Sequence, residues 1–215
     1  MAISEPATPE PVTSSPSSAS SLSQPASPSV ADPGALGLGA FAMTTFVLSC
    51  FNAGLISLSV QGVVLGLALF YGGATQFLAG MWEFRRGNTF AATAFASFGA
   101  FWLSFWFYIS RIAPHLDAAH AYQATGVYLL AWTVFTAYMT VGAARVNGSV
   151  FAVFFALTLT FLFLTIGAFA QSTGWNKVGG WVGLVTAVLA WYASFAVVTN
   201  ATWKKTVLPT WPLGS

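Results

Sequence analysis

The chain has 215 residues, of which 56% are apolar, 16% aromatic and only 6% charged, seven Lys or Arg against five Asp or Glu. A soluble domain carries about 25% charged residues, so this chain has too few to cover a water-facing surface, and a soluble enzyme is not expected. The lone Cys50 excludes an internal disulfide and a Cys-based metal cluster, and a scattered net charge of +2 leaves no footprint for nucleic acid.

Residues 1–33 hold ten Ser, seven of the ten Pro, and no Lys or Arg. Such a stretch cannot bury enough apolar surface to offset its ordering entropy, so a disordered cytoplasmic tail is expected. It lacks the basic start and short apolar core of a secretory signal. A dispensable tail outweighs one that carries phosphorylation sites or partner motifs.

From Ala35 to about Thr202 the chain is nearly continuous apolar sequence. A span needs about 20 apolar residues, and six segments qualify: 36–56, 61–84, 91–110, 124–143, 149–170 and 179–200. The breaks fall at 57–60, 85–88, 111–123, 144–148 and 171–178. The expected fold is an all-α, six-helix transmembrane bundle over 34–203, with a short cytoplasmic tail at 204–215. With the N-terminus inside, the inner side holds Arg85, Arg86, Arg145, Lys204 and Lys205 against Arg111 and Lys177 outside. That bias favours both termini in the cytoplasm. Trp82, Trp102, Trp175, Trp181 and Trp203 fall near span ends, as an interfacial belt would place them. Gly62 with Gly66, Gly179 with Gly183, and Ala96 with Ala100 have helix-packing spacing, within one bundle or between subunits.

No span carries a charge near its centre. Glu83 sits at the inner end of span 2 beside Arg85 and Arg86. An ion-paired interfacial residue is the plainer reading; a proton or substrate gate is the functional one. No Lys lies within a span, which excludes a retinal Schiff base, and no cluster of His or carboxylates offers a metal site. No cofactor is called for. His115 and His120 fall in the longest outer connection and read as solvated. Thr44, Thr45 and Asn52 lie on span 1, with Thr45 and Asn52 seven apart on one face. Gln76 and Glu83 repeat that spacing on span 2, after Tyr71. Span 3 carries Thr93, Ser97 and Ser104, and span 5 carries Thr158, Thr160 and Thr165. Most such hydroxyls bond their own helix or a neighbour, yet together they suit a path for a small, weakly hydrated solute better than one for multivalent ions. At the start of span 1, Asp32 suits a cap and Pro33 a first turn. Gly34, Gly37 and Gly39 could leave amides open to an anion.

Several segments, in order, resemble one family. Asp32-Pro33-Gly34-Ala35-Leu36-Gly37-Leu38 is similar to the Asn-Pro-Ala-Pro-Leu-Gly-Leu signature of the acetate uptake transporters, also called succinate–acetate permeases. Phe41-Ala42-Met43-Thr44-Thr45, Asn52-Ala53-Gly54, Tyr71-Gly72-Gly73, Gln76 and Ala79-Gly80 follow in matching places. Glu83-Phe84-Arg85-Arg86-Gly87-Asn88-Thr89-Phe90, Phe101-Trp102-Leu103, Gly126-Val127-Tyr128, Ala190-Trp191-Tyr192 and Thr206-Val207-Leu208-Pro209 continue the match. The resemblance covers residues 32–209. It implies six-helix protomers assembled as a homo-hexamer in the lipid bilayer. Each protomer would have its own pore for acetate and related short carboxylates, sometimes succinate. The family's constriction falls on Phe41, Phe98 and Leu157, which would otherwise read as lipid-facing or packing residues. The matched Thr44, Thr45, Asn52, Tyr71, Gln76, Asn88, Thr89 and Ala190 are expected to bind substrate or line the pore, with Glu83 as a proton or gate residue.

Two departures stand out. Asp32 replaces the signature's Asn, and Ala35 its second Pro. At the constriction Phe98 replaces the usual Tyr, which leaves a more apolar neck and is expected to favour short monocarboxylates over dicarboxylates. The expected function is therefore a monocarboxylate channel or proton symporter. The rival is a membrane scaffold or sensor with a signalling tail. A membrane enzyme lacks a convincing set of nucleophile, base or metal ligands.

Overall fold

The computed structural model describes Met1 and residues 30–213. Most of the Ser/Pro-rich tail, residues 2–29, and the terminal Gly214-Ser215 lie outside the described residues, so the expectation of disorder is not addressed. The chain is all-helical, with six helices long and apolar enough to cross a membrane: α1 Gly34–Asn52, α2 Val63–Arg86, α3 Thr89–His115, α4 Ala121–Ala143, α5 Gly148–Phe169 and α6 Thr173–Trp203. Helices are the natural solution in hydrocarbon, because each satisfies its own backbone. The number of spans agrees with the hydropathy reading. The even count returns the C-terminal segment to the end where α1 begins, which we call the Asp32 end; the opposite one is the Lys177 end.

Two boundaries differ from the hydropathy segments. Helix α6 begins at Thr173, where the Ser172 hydroxyl accepts the Trp175 amide at 3.4 Å. Asn176 and Lys177 therefore ride on its first turns rather than in a loop. Polar side chains end an apolar stretch but do not end a helix. Helix α3 likewise runs past residue 110, through a π turn at Tyr108–Ile112 and a 3-10 turn at Ala113–His115 that accepts Pro114 near its start. Trp102 lies at the middle of α3 and is 2% exposed. The expectation that Trp102 belongs to an interfacial belt is thus corrected. Trp82, Trp175, Trp181 and Trp203 remain well exposed.

Packing follows from residue size. On α6, Gly179, Gly180, Gly183, Ala187, Ala190, Ala193 and Ala196 are all buried. A Cβ at Gly180 would overlap the backbone of Ala53, and one at Gly183 would meet Ser49, so α6 lies directly on α1. Gly72 does the same for α2, with the Thr44 hydroxyl 2.6 Å from its absent Cβ. Helix α2 is interrupted by a π turn at Phe70–Thr75, where the Thr75 hydroxyl donates to the Phe70 carbonyl at 2.9 Å. Helices α2 and α3 meet through Gly80 against Ala96 and Gly99 against Phe77. The remaining contacts are hydroxyl pairs: Thr133 with Thr165 at 3.0 Å, Thr140 with Thr158 at 2.9 Å, and Thr160 with Thr186 at 3.1 Å. Of these, Thr158, Thr160 and Thr165 were read above as bonded to their own helix or a neighbour. Each of the six oxygens also lies within hydrogen-bond distance of its own i−4 carbonyl, so in each pair one hydroxyl donates to its carbonyl and accepts from the other. The segment after α6 is held, too: the Asn200 side chain bonds the backbone of Val207 and Leu208, and Gly148 N donates to the Trp211 carbonyl at 2.7 Å.

Gly62 and Gly66 contrast with these. Nothing lies within 4 Å of a Cβ at either, so this pair packs no helix inside the protomer. A Cβ at Gly99 would stand 2.6 Å from the Phe77 backbone nitrogen. Gly99→Ala should therefore destabilise the bundle by about 1–3 kcal/mol through overpacking. Gly66→Ala should be neutral, or stabilise by about 0.5–1 kcal/mol through reduced backbone freedom. Thermal unfolding in detergent orders the two variants; equal melting temperatures would contradict the assigned α2–α3 contact.

Candidate functional site

Between α1, α3, α4, α5 and the first turns of α6 lies a cavity of about 630 Å³. Its rim is formed by the connections at the Lys177 end: Gly54, Leu58, Gln61, Ala113, Tyr122 and Gln171 all contribute. Its floor includes Phe41, Phe101, Trp102, Leu157 and Phe161. The long axis follows α1. At 1.5 Å per residue, Asn52 stands about 16 Å above Phe41 and Thr45 about 6 Å above it. Thr45 and Asn52 both line the cavity, as their seven-residue spacing anticipates.

Below the floor the walls close. The Phe41 and Phe98 rings are 5.8 Å apart between centroids. Phe98 is also ringed by Phe135 at 5.4 Å, Phe154 at 6.0 Å and Trp132 at 6.1 Å. Phe41, Phe98 and Leu157 belong to one apolar cluster and are each no more than 4% exposed. The three positions therefore converge, with Phe98 one layer below the vestibule floor. The register of α1 against α3 explains why. The Phe95 ring lies 2.8 Å from where Gly37 would carry a Cβ, Phe98 meets Phe41, and the next turn brings Trp102 level with Thr45. The contact of Phe95 with Gly37 also corrects an expectation: this glycine serves close packing, not an open amide.

Polar satisfaction is nearly complete. Among the described residues, three buried side-chain atoms lack a hydrogen-bond partner: Thr45 Oγ1, Trp102 Nε1 and Gln76 Oε1. Thr45 and Trp102 are among the residues that line the vestibule, from α1 and α3, although the two atoms themselves are covered. Both can donate. An unpartnered buried donor costs about 1–3 kcal/mol. Trp102 was missed as a site residue because it was assigned to the interfacial belt by residue type, although it falls near the middle of the expected span 91–110.

The other expected positions lie elsewhere. Thr44 donates to the Ala40 carbonyl and packs on Gly72. Ala190 is fully buried within the apolar cluster. The Tyr71 hydroxyl and Ser194 Oγ lie over Gly39, 3.5 and 3.2 Å from its absent Cβ. Gln76 is 1% exposed. Asn88 caps α3, accepting from Ala91 N at 3.2 Å, and with Thr89 it is exposed at the Asp32 end.

At that end the charges are gathered. Arg86 Nη1 lies 2.9 Å from Asp32 Oδ1 and 3.5 Å from Glu83 Oε2. Glu83 is 1% exposed, so it is ion-paired but not solvated. Asp32 Oδ1 also accepts from Gly34 N at 2.8 Å. The start of α1 is thus filled by the chain's own carboxylate, and the expected open anion site there is corrected. At the opposite end, His120 Nδ1 bonds Asp117 at 2.6 Å and holds its carboxyl below the usual carboxylate range, helped by the Ala119 amide. Lys177 is the single charged residue on the vestibule wall. No group of three or more His, Cys, Asp or Glu able to hold a metal occurs among the described residues.

This arrangement has known counterparts. The solved structure of the bacterial acetate channel SatP superposes with a TM-score of 0.79 at 38% identity, covering 85% of this chain and 99% of that one. The succinate-acetate/proton symporter SatP of Escherichia coli K12 is 39% identical over 161 residues, 74% of this chain and 83% of that protein. The accumulation of dyads protein 2 of Saccharomyces cerevisiae is 44% identical over 158 residues, 71% of this chain. The chain spans 56% of the length of that yeast relative. Its match to the family extends over residues 15–215, and the chain belongs to the GPR1/FUN34/yaaH family of membrane proteins.

Proposed function

We propose that the chain carries acetate and related short monocarboxylates across a cell membrane, through a hydrophobic constriction at Phe41, Phe98 and Leu157. The observation that carries this reading is a vestibule lined by Thr45, Trp102, Ser49 and Asn52 that abuts the apolar side chains of Phe41 and Leu157, with Phe98 packed on Phe41. A carboxylate loses much free energy on leaving water unless donors replace its hydration. The Thr45 and Trp102 donors, with Asn52 and Ser49 above them, are the replacement, and the neck below is short. The names of the bacterial relatives, acetate channel and succinate-acetate/proton symporter, support the same substrate class. Both termini are assigned to the cytoplasm on the Lys and Arg bias, so the vestibule opens outward. The assembly is assigned as a homo-hexamer with one pore per protomer, on the family resemblance alone. A scaffold or sensor leaves the vestibule and its donors without a purpose.

A second reading is favoured by Glu83, a carboxyl 1% exposed beside Arg86: the anion travels with a proton that Glu83 accepts and releases. Labelled-acetate uptake into proteoliposomes, with and without an inward proton gradient and corrected for protein-free vesicles, separates the two. Under symport through Glu83, wild type is stimulated by the gradient and Glu83→Gln is not; a wild type without stimulation assigns a channel, and a stimulated Gln variant removes Glu83 from the proton route.

The neck makes its own predictions. Leu157→Ala should widen it and raise acetate flux several-fold, and unchanged flux would remove Leu157 from the path. Wild type should prefer acetate to succinate by about 10-fold or more, because a second charge adds at least 1.4 kcal/mol of barrier in an apolar neck. Phe98→Tyr should reduce that preference. Equal uptake of both acids by wild type would refute the role given to Phe98.

A further inference from the structure

Lys177 is unlike the other cations of the chain. It projects from the second turn of α6, lines the vestibule, and drapes across Gly54, where a Cβ would stand 3.0 Å from its Cε and 3.7 Å from its Nζ. Gly54 has φ +78° and ends α1. A plain structural role for the ammonium would be to cap the carbonyls of that helix end. Three of the last four carbonyls are already used, and no hydrogen bond from the Lys177 ammonium is made to the fourth. Ser49, Cys50 and Phe51 accept from Ala53 N, Leu55 N and Gly54 N at 2.8, 3.0 and 3.0 Å. Among the described residues no carboxylate lies within ion-pair distance of Lys177; Asp117, the acidic residue at this end, is engaged by His120. The ammonium is therefore a free positive charge at the mouth of a vestibule with no acidic side chain on its wall.

We propose that Lys177 is the specificity-determining charge of the pathway: it gathers the ionised carboxylate at the mouth, ahead of the donors Thr45 and Trp102 at the floor. This rests on the transport reading above. Thr45, whose buried hydroxyl has no hydrogen-bond partner, lines the same cavity deeper in. A charge in a concave, low-dielectric mouth raises the local concentration of counter-charged solute and the rate of its capture. The effect is screened over about 8 Å at 0.15 M salt but reaches about 30 Å at 0.01 M. Lys177 thus acts on capture, while the passage rate belongs to the neck.

The test is equilibrium exchange of labelled acetate in proteoliposomes of the full chain, a measurement independent of which way the protein inserts. Wild type, Lys177→Gln, Lys177→Glu and Lys177→Arg are compared at about 0.01 M and 0.15 M salt. Lys177→Gln should raise the half-saturating acetate concentration about 3–10-fold at low salt, the lower end of electrostatic focusing, with the maximal rate within about twofold. Its half-saturation should no longer depend on salt. Lys177→Glu should be weaker still, and Lys177→Arg should behave as wild type. A Gln variant with wild-type half-saturation and salt dependence overturns the inference, as does an Arg variant as impaired as Gln, which would mark a structural role. Absence of exchange by wild type would instead refute the transport reading itself.

Discussion

Every polar group inside the hydrocarbon must find a partner within the protein, and the architecture follows from how that is met. Backbones are satisfied by helices. Side-chain hydroxyls are satisfied twice, by their own i−4 carbonyls and by each other across α4, α5 and α6. Each interhelical bond of this kind is modest in lipid, about 0.6 kcal/mol, so the pairs fix register more than they add stability. Small residues then bring α6 onto α1 and α2 onto α3. With these faces consumed, the facing sides of α1, α3, α4 and α5 are left around a space they do not fill. Thr45 and Trp102, which carry the two unpartnered donors, line that space, and the third unpartnered atom, Gln76 Oε1, lies on α2.

The two ends of the bundle differ in how charge is held. At the Asp32 end one guanidinium serves two carboxylates, and a helix start is closed by Asp32 itself. Had position 32 carried the Asn of the family signature, Arg86 would have only Glu83 as its ionised neighbour in this cluster. Arg86 makes the shorter of its two contacts with Asp32, 2.9 Å against 3.5 Å to Glu83. Glu83 is the more buried of the two carboxylates. The Lys177 end carries the opposite arrangement, an unpaired cation over an open mouth.

The span count was legible because hydropathy reports the same physical requirement that builds the helices. Helix ends were less so. Asn176 and Lys177 end the apolar run yet sit inside α6, since hydropathy measures preference for lipid and not for helix. Thr45 and Asn52 could be placed on one face from spacing alone. The convergence of Phe41, Phe98 and Leu157 could not, because the register of α1 on α3 is set by Phe95 seating on Gly37, a tertiary contact with no local signature. It entered through family resemblance. Trp102 was misplaced for the same reason. Its burial depends on which side of α3 faces the bundle, which its mid-span position alone does not give. Asn88 shows the converse: its matched position is a helix cap, a role that spacing before an apolar run would have suggested.

The order of the parts along the path bears on which acids can pass. A carboxylate held by Thr45 and Trp102 lies about one helical turn above the Phe41 ring, so its tail points either back into the vestibule or down into the neck. A methyl tail is at home in either place, because the neck is lined by Phe41, Phe98 and Leu157 and backed by Phe135 and Phe154. A dicarboxylate that reaches through the neck must set its second charge among those rings while the first is still held by the donors. A tyrosine at position 98 would offer that second charge a hydroxyl; the phenylalanine offers none. On the proposed route, selection by charge at the mouth and by apolarity at the neck would act on opposite ends of one small molecule, and a short acid with a single carboxylate would satisfy both.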